Sequence, residues 1–280
     1  SNSFKENKLK SQQKINWQII KTASGSNLNS VYFLNDSVGF ICGENNTLLK
    51  SNDAGKNWES LLDSSEISLT DIVFINSEKG FTIGDRGLLL QTNNSGKLWV
   101  KRNIGVKEQL TKIIFLNDKR TGFIATTKGK ILKTYNAGET WRVLKTKVND
   151  VIYSISFAAD DIGFAVGWNG LLLKTEDGGE NWNGVRRFTD KYLRDIVFSN
   201  KMNGLIVGGG GEIYRTSDGG NDWKLIQSGI ISGLTSIPLY SENMSLVLSS
   251  TDEVLHSTDF GLNWQRTSTG VFTPLAKGSV

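Results

Sequence analysis

Apolar and polar positions alternate along this chain in short runs, and the runs return in the same order at a fixed interval. The first run of each unit alternates: LNSVYF from Leu28, LTDIVF from Leu69, LTKIIF from Leu110 and LRDIVF from Leu193. A polar turn follows, then a run opening on a Gly-Phe pair: GFICG from Gly39, GFTIG from Gly80, GFIAT from Gly122 and GFAVG from Gly163. A third run, such as GLLLQT from Gly87 or GLLLKT from Gly170, leads through a Ser/Thr-x-Asp/Asn turn to a tryptophan and a fourth run, WESLL or WRVLK. Short alternating runs bounded by turn signals predict strands, four to a unit.

The interval is set by tryptophans at 17, 58, 99, 141, 182, 223 and 264, which stand 41, 41, 42, 41, 41 and 41 residues apart. A period of this length identifies a repeat architecture. One four-stranded antiparallel sheet cannot bury both of its faces. Several set radially bury each face against a neighbour and leave only short edges. The predicted fold is therefore all-β, a β-propeller of four-stranded antiparallel blades. Six units are complete, so six blades are expected. Seven is the alternative, because Trp17 in WQIIK is a seventh fourth strand with no aspartate turn before it. With six blades, WQIIK and the Trp264 strand compete for one place in the last blade. Residues 1–16 read as a flexible polar tail and 17–280 as a single propeller domain.

The turn before each tryptophan reads SNDAGKNW, TNNSGKLW, TYNAGETW, TEDGGENW, TSDGGNDW and STDFGLNW. An Asp or Asn side chain accepts backbone N–H groups a few residues on and fixes a tight turn. The glycine supplies a positive φ, and the tryptophan fills the blade, with its N–H satisfied locally. Asp53, Asn94, Asn136, Asp177, Asp218 and Asp259 are thereby assigned to structure, as are Trp58, Trp99, Trp141, Trp182, Trp223 and Trp264. The pattern S/T-x-D-x-G-x-x-W resembles the Asp-box, or BNR repeat, of sialidases and other propellers. The whole unit most resembles the photosystem II stability and assembly factor family, over roughly residues 17–268. That resemblance implies a non-catalytic, protein-binding propeller, usually of seven blades. It also implies an arginine-rich face toward membrane-protein clients, and an exported, periplasmic or extracellular location.

Composition narrows the function further. There are 32 basic and 28 acidic residues, a formal charge of +4, without the dense basic stripe of a nucleic-acid binder. No run approaches the ~18 apolar residues of a membrane span. Cys42 and His256 are the only residues of their kinds, which removes disulfides and multi-histidine metal sites. No cofactor, metal or catalytic residue is expected. The run Gly208–Gly211 reads as a tight strand turn, since no Lys-Ser/Thr follows it.

Strand order places the turns between second and third strands on one face with the blade-to-blade connections, opposite the Asp-boxes. Loops on that face are the ones free to vary. Arg86, Lys128 and Trp168 stand in such turns where the repeat needs only a glycine turn, and GVRRFTDKYLRD from Gly184 adds Arg186, Arg187, Lys191, Tyr192 and Arg194. A basic and aromatic rim of this kind suits another protein, acidic or extended, by charge steering and aromatic contact. The protein is expected to be monomeric. The alternative is a sialidase-like glycoside hydrolase or a carbohydrate-binding propeller. Asp71, Asp150 and Asp195 are its candidate carboxylates, but the Arg-Ile-Pro of sialidases is absent.

Overall fold

The computed structural model describes residues 20–270, except 23, 64, 145, 185 and 186. The expected tail, Trp17 and Arg186 lie outside the described residues. Six four-stranded antiparallel sheets follow one another along the chain, each with its strands in sequence order. Blade 1 is made of Leu28–Phe33, Gly39–Gly43, Leu48–Ser51 and Glu59–Ser60. Blade 6 is made of Leu234–Tyr240, Ser245–Ser249, Glu253–Ser257 and Gln265–Ser268. The outer place in blade 6 is thus taken by the Trp264 strand. Among the described residues the only helical elements are three single turns, Asp85–Gly87, Trp168–Gly170 and Gly209–Gly211, and the last is the expected strand turn.

The second strands of blades 2 to 5 are buried along their whole length because a neighbouring sheet lies on each side. At each junction between blades 1 and 5, the second-strand phenylalanine of one blade stacks on the first-strand phenylalanine of the next. Phe40 lies 4.5 Å from Phe74, and Trp99 meets both rings edge-on at 6.4 and 6.0 Å. Phe81–Phe115, Phe123–Phe157 and Phe164–Phe198 repeat the stack, with Trp141, Trp182 and Trp223 as the edge partners. Such edge-to-face clusters contribute roughly 0.5–1.5 kcal/mol per pair beyond area burial. Five apolar cores result, one for each junction from blade 1 to blade 6.

Each Asp-box turn is closed by side-chain hydrogen bonds. In blade 1, Ser51 Oγ donates to Asp53 Oδ1 at 2.8 Å, while Asp53 accepts from the backbone and side-chain amides of Asn57 at 2.9 and 2.7 Å. Asp177 and Asp259 repeat the arrangement, Asp218 accepts from Asp222 N, and Asn94 and Asn136 supply the same acceptor oxygen. The box glycine is needed for two reasons. At Gly96, φ is +78°, and a β-carbon would stand 2.5 Å from the Phe40 ring of the preceding blade.

One expectation fails in part. Trp58 and Trp264 donate their indole N–H to Gly55 O and Gly261 O, at 2.8 and 3.0 Å. The indole nitrogens of Trp99, Trp141, Trp182 and Trp223 are buried without a partner. These four are the ones whose rings are held edge-on against a stacked phenylalanine pair, so packing there prevails over the local hydrogen bond.

Candidate functional site

The first strand of every blade lines the axis, and every one carries a β-bulge. In blade 1 Leu28 pairs with Gly43 and Ser30 with Cys42, so Asn29 is the extra residue. The same slip leaves out Thr70, Thr111, Tyr153, Arg194 and Thr235 in blades 2 to 6. A bulge re-aims side chains that strict alternation would send to opposite faces. All six bulged residues line one cavity of about 260 Å³ on the axis, on the face of the second-to-third-strand turns. Glu44, Gln109 and Thr127 complete its mouth.

The next residue of each first strand is also polar: Ser30, Asp71, Lys112, Ser154, Asp195 and Ser236. They form a waist. Asp71 Oδ1 accepts from Ser30 Oγ of the preceding blade at 2.8 Å, and Oδ2 accepts from Ile113 N of the following one at 3.1 Å. Asp195 repeats this with Ser154 Oγ at 2.7 Å and Ile237 N at 2.8 Å. Lys112 reaches to within 3.7 Å of Asp71. Burial disfavours its ammonium, but the charges of Asp71 and Asp195 outweigh that and raise its pKa. Beyond the waist a second cavity shares Lys112 and Asp195 and is lined by Tyr32, Ile72 and Pro238.

The two candidate catalytic carboxylates on the first strands are therefore occupied in tying blades together. Asp150, the third, pairs with Arg187 at 2.8 Å. None of the three presents a free carboxylate pair to the funnel.

In blades 1 to 3 the bulged side chain donates to a carbonyl at the start of the next blade's first strand. Asn29 reaches Leu69 O at 2.8 Å, Thr70 reaches Leu110 O at 2.7 Å, and Thr111 reaches Ile152 O at 2.6 Å. Blades 4 and 5 depart from this rule. Tyr153 and Arg194 are too large for that role, and the Arg194 guanidinium lies over the Tyr153 ring, 4.7 Å from its centroid. Tyr192 meets Tyr153 edge-on at 6.4 Å. Burial raises the pKa of Tyr153, against the opposing charge of Arg194, so the phenol stays protonated.

The structure divides the rim residues expected from sequence. Trp168 is 53% exposed at the turn of blade 4. Arg187 holds that turn, donating to Trp168 O at 3.0 Å and Asn169 O at 2.6 Å as well as pairing with Asp150. Lys191 pairs with Glu212 at 3.0 Å. Arg194 and Tyr192 stand at the funnel with Tyr153, while Arg86 and Lys128 are exposed in the turns of blades 2 and 3 on the same face. Tyr153, Lys112 and the bulged threonines are the site residues the sequence reading missed. The signal was present: two successive polar positions interrupt every otherwise apolar first strand.

A six-bladed propeller with Asp-boxes on one face and a polar funnel on the other defines the chain as a BNR-repeat propeller. Over residues 9–142, 139–189 and 181–274 it matches the family described as photosynthesis system II assembly factor YCF48, and it belongs to that family. Similar solved structures include YCF48 bound to a D1 peptide, 22% identical over 91% of this chain and 84% of that one, with a TM-score of 0.75. YCF48 from Cyanidioschyzon merolae is 17% identical over 90% and 88%, with a TM-score of 0.74. An ancestral GH74 enzyme shares the fold at 15% identity, TM-score 0.71, over 91% of this chain but 40% of its own. No curated protein matches the chain in sequence. Membership of an assembly-factor family bears out the expectation of a non-catalytic, protein-binding propeller over a glycoside hydrolase.

Proposed function

We propose that this protein binds an extended, acidic segment of a client protein at the funnel mouth between blades 4 and 5. The observation that carries this reading is the substitution of Tyr153 and Arg194 for the small hydrogen-bonding residues that seal the neighbouring blades. A guanidinium placed over an aromatic ring keeps donors available for a carboxylate. Exposed Trp168 and the half-buried Tyr192 add apolar contact beside it. YCF48 has been captured with a D1 peptide, which supports peptide recognition by a propeller of this family. Arg86 and Lys128 extend the basic rim, with Arg187 and Lys191 flanking the site. Arg187 acts by holding the Trp168 turn. The protein is read as a monomer working in an exported compartment, and that location rests on the family alone. Among the described residues no helix is long and apolar enough to cross a membrane.

The test is fluorescence anisotropy with a panel of labelled peptides of graded acidity. Acidic peptides should bind, and Arg194→Ala or Trp168→Ala should weaken them about tenfold, or ~1.4 kcal/mol each. Equal binding by both variants, or by acidic and basic peptides alike, overturns the reading.

A further inference from the structure

The first residue of each turn between second and third strands is held in the same place around the ring. Its backbone N–H donates to the carbonyl just before the first strand of its own blade. Glu44 donates to Asn27 O, Asp85 to Ser68 O, Thr127 to Gln109 O, Trp168 to Val151 O, Gly209 to Tyr192 O and Ser250 to Gly233 O, at 2.7–3.0 Å. The backbone at this position is common to all six blades and only the side chain differs, so the position sets the chemistry of the lip. It is acidic on blade 1, aromatic on blade 4 and bare on blade 5, where a β-carbon on Gly209 would stand 3.1 Å from the Tyr192 ring.

Most charges on this face are already engaged. Asp85 accepts from Gln109 Nε2 at 2.7 Å, while Arg187, Lys191 and Lys130 pair with Asp150, Glu212 and Glu108. Of the charged residues lining the axial cavity, Lys112 and Asp195 belong to the waist, which leaves Glu44 and Arg194. Neither makes an ion pair among the described residues. The Glu44 carboxylate is held by a neutral group, Asn27 Nδ2 at 3.0 Å, and the Arg194 guanidinium by the face of Tyr153. The two lie across the mouth from each other. Tyr153 belongs to blade 4, and blades 2 and 3 separate it from Glu44 on blade 1.

We propose that Glu44 is a second recognition point of the funnel, taking a basic side chain of the client across from the acidic one held by Arg194. This rests on the reading of the mouth as a site for an acidic segment and specifies the client further: acid and base stand on one short stretch, separated by the width of the mouth. A carboxylate and a guanidinium on opposite walls form a dipole, and a guest of both charges lies across it in one sense only. Turned round, each of its ends meets its own sign, which costs free energy. A guest that brings both signs neutralises both walls, whereas a purely acidic one leaves its far end against Glu44.

Fluorescence anisotropy with labelled peptides tests this. Each peptide carries Glu-Glu at one end and Lys, Gln or Glu at the other, with about two to five neutral residues between, which steps the separation by ~3.3 Å per residue. At the best spacing the Lys peptide should bind the wild type about threefold to fivefold tighter than the Gln peptide, and the Glu peptide more weakly than both. Glu44→Gln, which keeps an acceptor for Asn27, should erase the Lys preference, and Glu44→Lys should turn it into a preference for the Glu peptide. Arg194→Ala should weaken the Lys and Gln peptides together. A Lys preference absent at every spacing, or unchanged in Glu44→Gln, overturns the proposal, and a loss of affinity in Arg194→Ala then leaves the acidic-segment reading intact. Acidic peptides that bind no better than basic ones overturn both.

Discussion

The guanidinium of Arg194 lies 4.7 Å from the centroid of the Tyr153 ring, a contact between bulged residues of two neighbouring blades. In blades 1 to 3 the same positions hold asparagine or threonine bonded across the junction. The pair therefore marks where a binding residue has replaced a blade-to-blade tie. Tyr153→Phe should keep acidic-peptide affinity within about twofold, since the ring is retained. Tyr153→Ala should weaken it severalfold by releasing the guanidinium to solvent. Isothermal titration at two salt concentrations checks both, and the wild-type affinity should fall as salt rises.

Asp71 is the most heavily used carboxylate of the waist, with Ser30, Ile113 N and Lys112 around it. Asp71→Ala leaves a hydroxyl, an amide and an ammonium without their acceptor and should cost about 3–5 kcal/mol. Asp71→Asn should cost less, and adding Lys112→Met to it should recover part of the loss. Urea unfolding midpoints of the three variants give the comparison.

Acid should weaken the Asp-boxes selectively. Hydrogen bonds from Asn57 hold Asp53 at about 2, and those from Asn181 hold Asp177 at about 2, both below the ordinary 3.8. A depressed folded-state pKa stabilises fully above the unfolded value and fades as pH falls from 3.8 through 2. Blades 2 and 3 carry the neutral Asn94 and Asn136 at this position, so their boxes lack this carboxylate. Asp177→Asn should therefore flatten the fall of the unfolding midpoint between pH 5 and pH 2, measured by circular dichroism.

Two glycines of positive φ separate conformational cost from steric cost. At Gly87, φ is +68° and a β-carbon would stand 2.0 Å from Val106 O; at Gly105, φ is +76° with nothing within 4 Å. Gly105→Ala should destabilise by about 1 kcal/mol, and Gly87→Ala by severalfold more. Thermal denaturation of the two single variants distinguishes them.

The unequal indole bonds give a further comparison. Trp58→Phe forfeits a 2.8 Å hydrogen bond to Gly55 O, whereas the Trp99 N–H has no partner to lose. The hydrogen-bond part of the cost, about 1 kcal/mol, should appear at position 58 and not at 99. Unfolding free energies of both Phe variants measure it.

The blades, the Asp-boxes and the face carrying the rim were legible because each is written as a period in residue type. The funnel was hidden by the bulge. LTDIVF reads as simple alternation, which sends Thr70 and Asp71 to opposite faces, and only the slipped register between Leu69 and Asp71 turns both toward the axis. Arg187 read as a free cation for a different reason. Asn169 adopts a left-handed conformation at φ 53°, in a turn whose carbonyls at 168 and 169 meet the guanidinium, and no side-chain pattern reports the direction of a carbonyl.

The waist of Asp71, Lys112 and Asp195 makes the axis a stoppered well instead of a tunnel. A guest entering from the rim meets a floor already saturated with hydrogen bonds, so it is gripped by the walls and lip alone. Depth is then constant whatever arrives, and selectivity can be rewritten at the lip while the stopper, and the stability it confers, stays untouched.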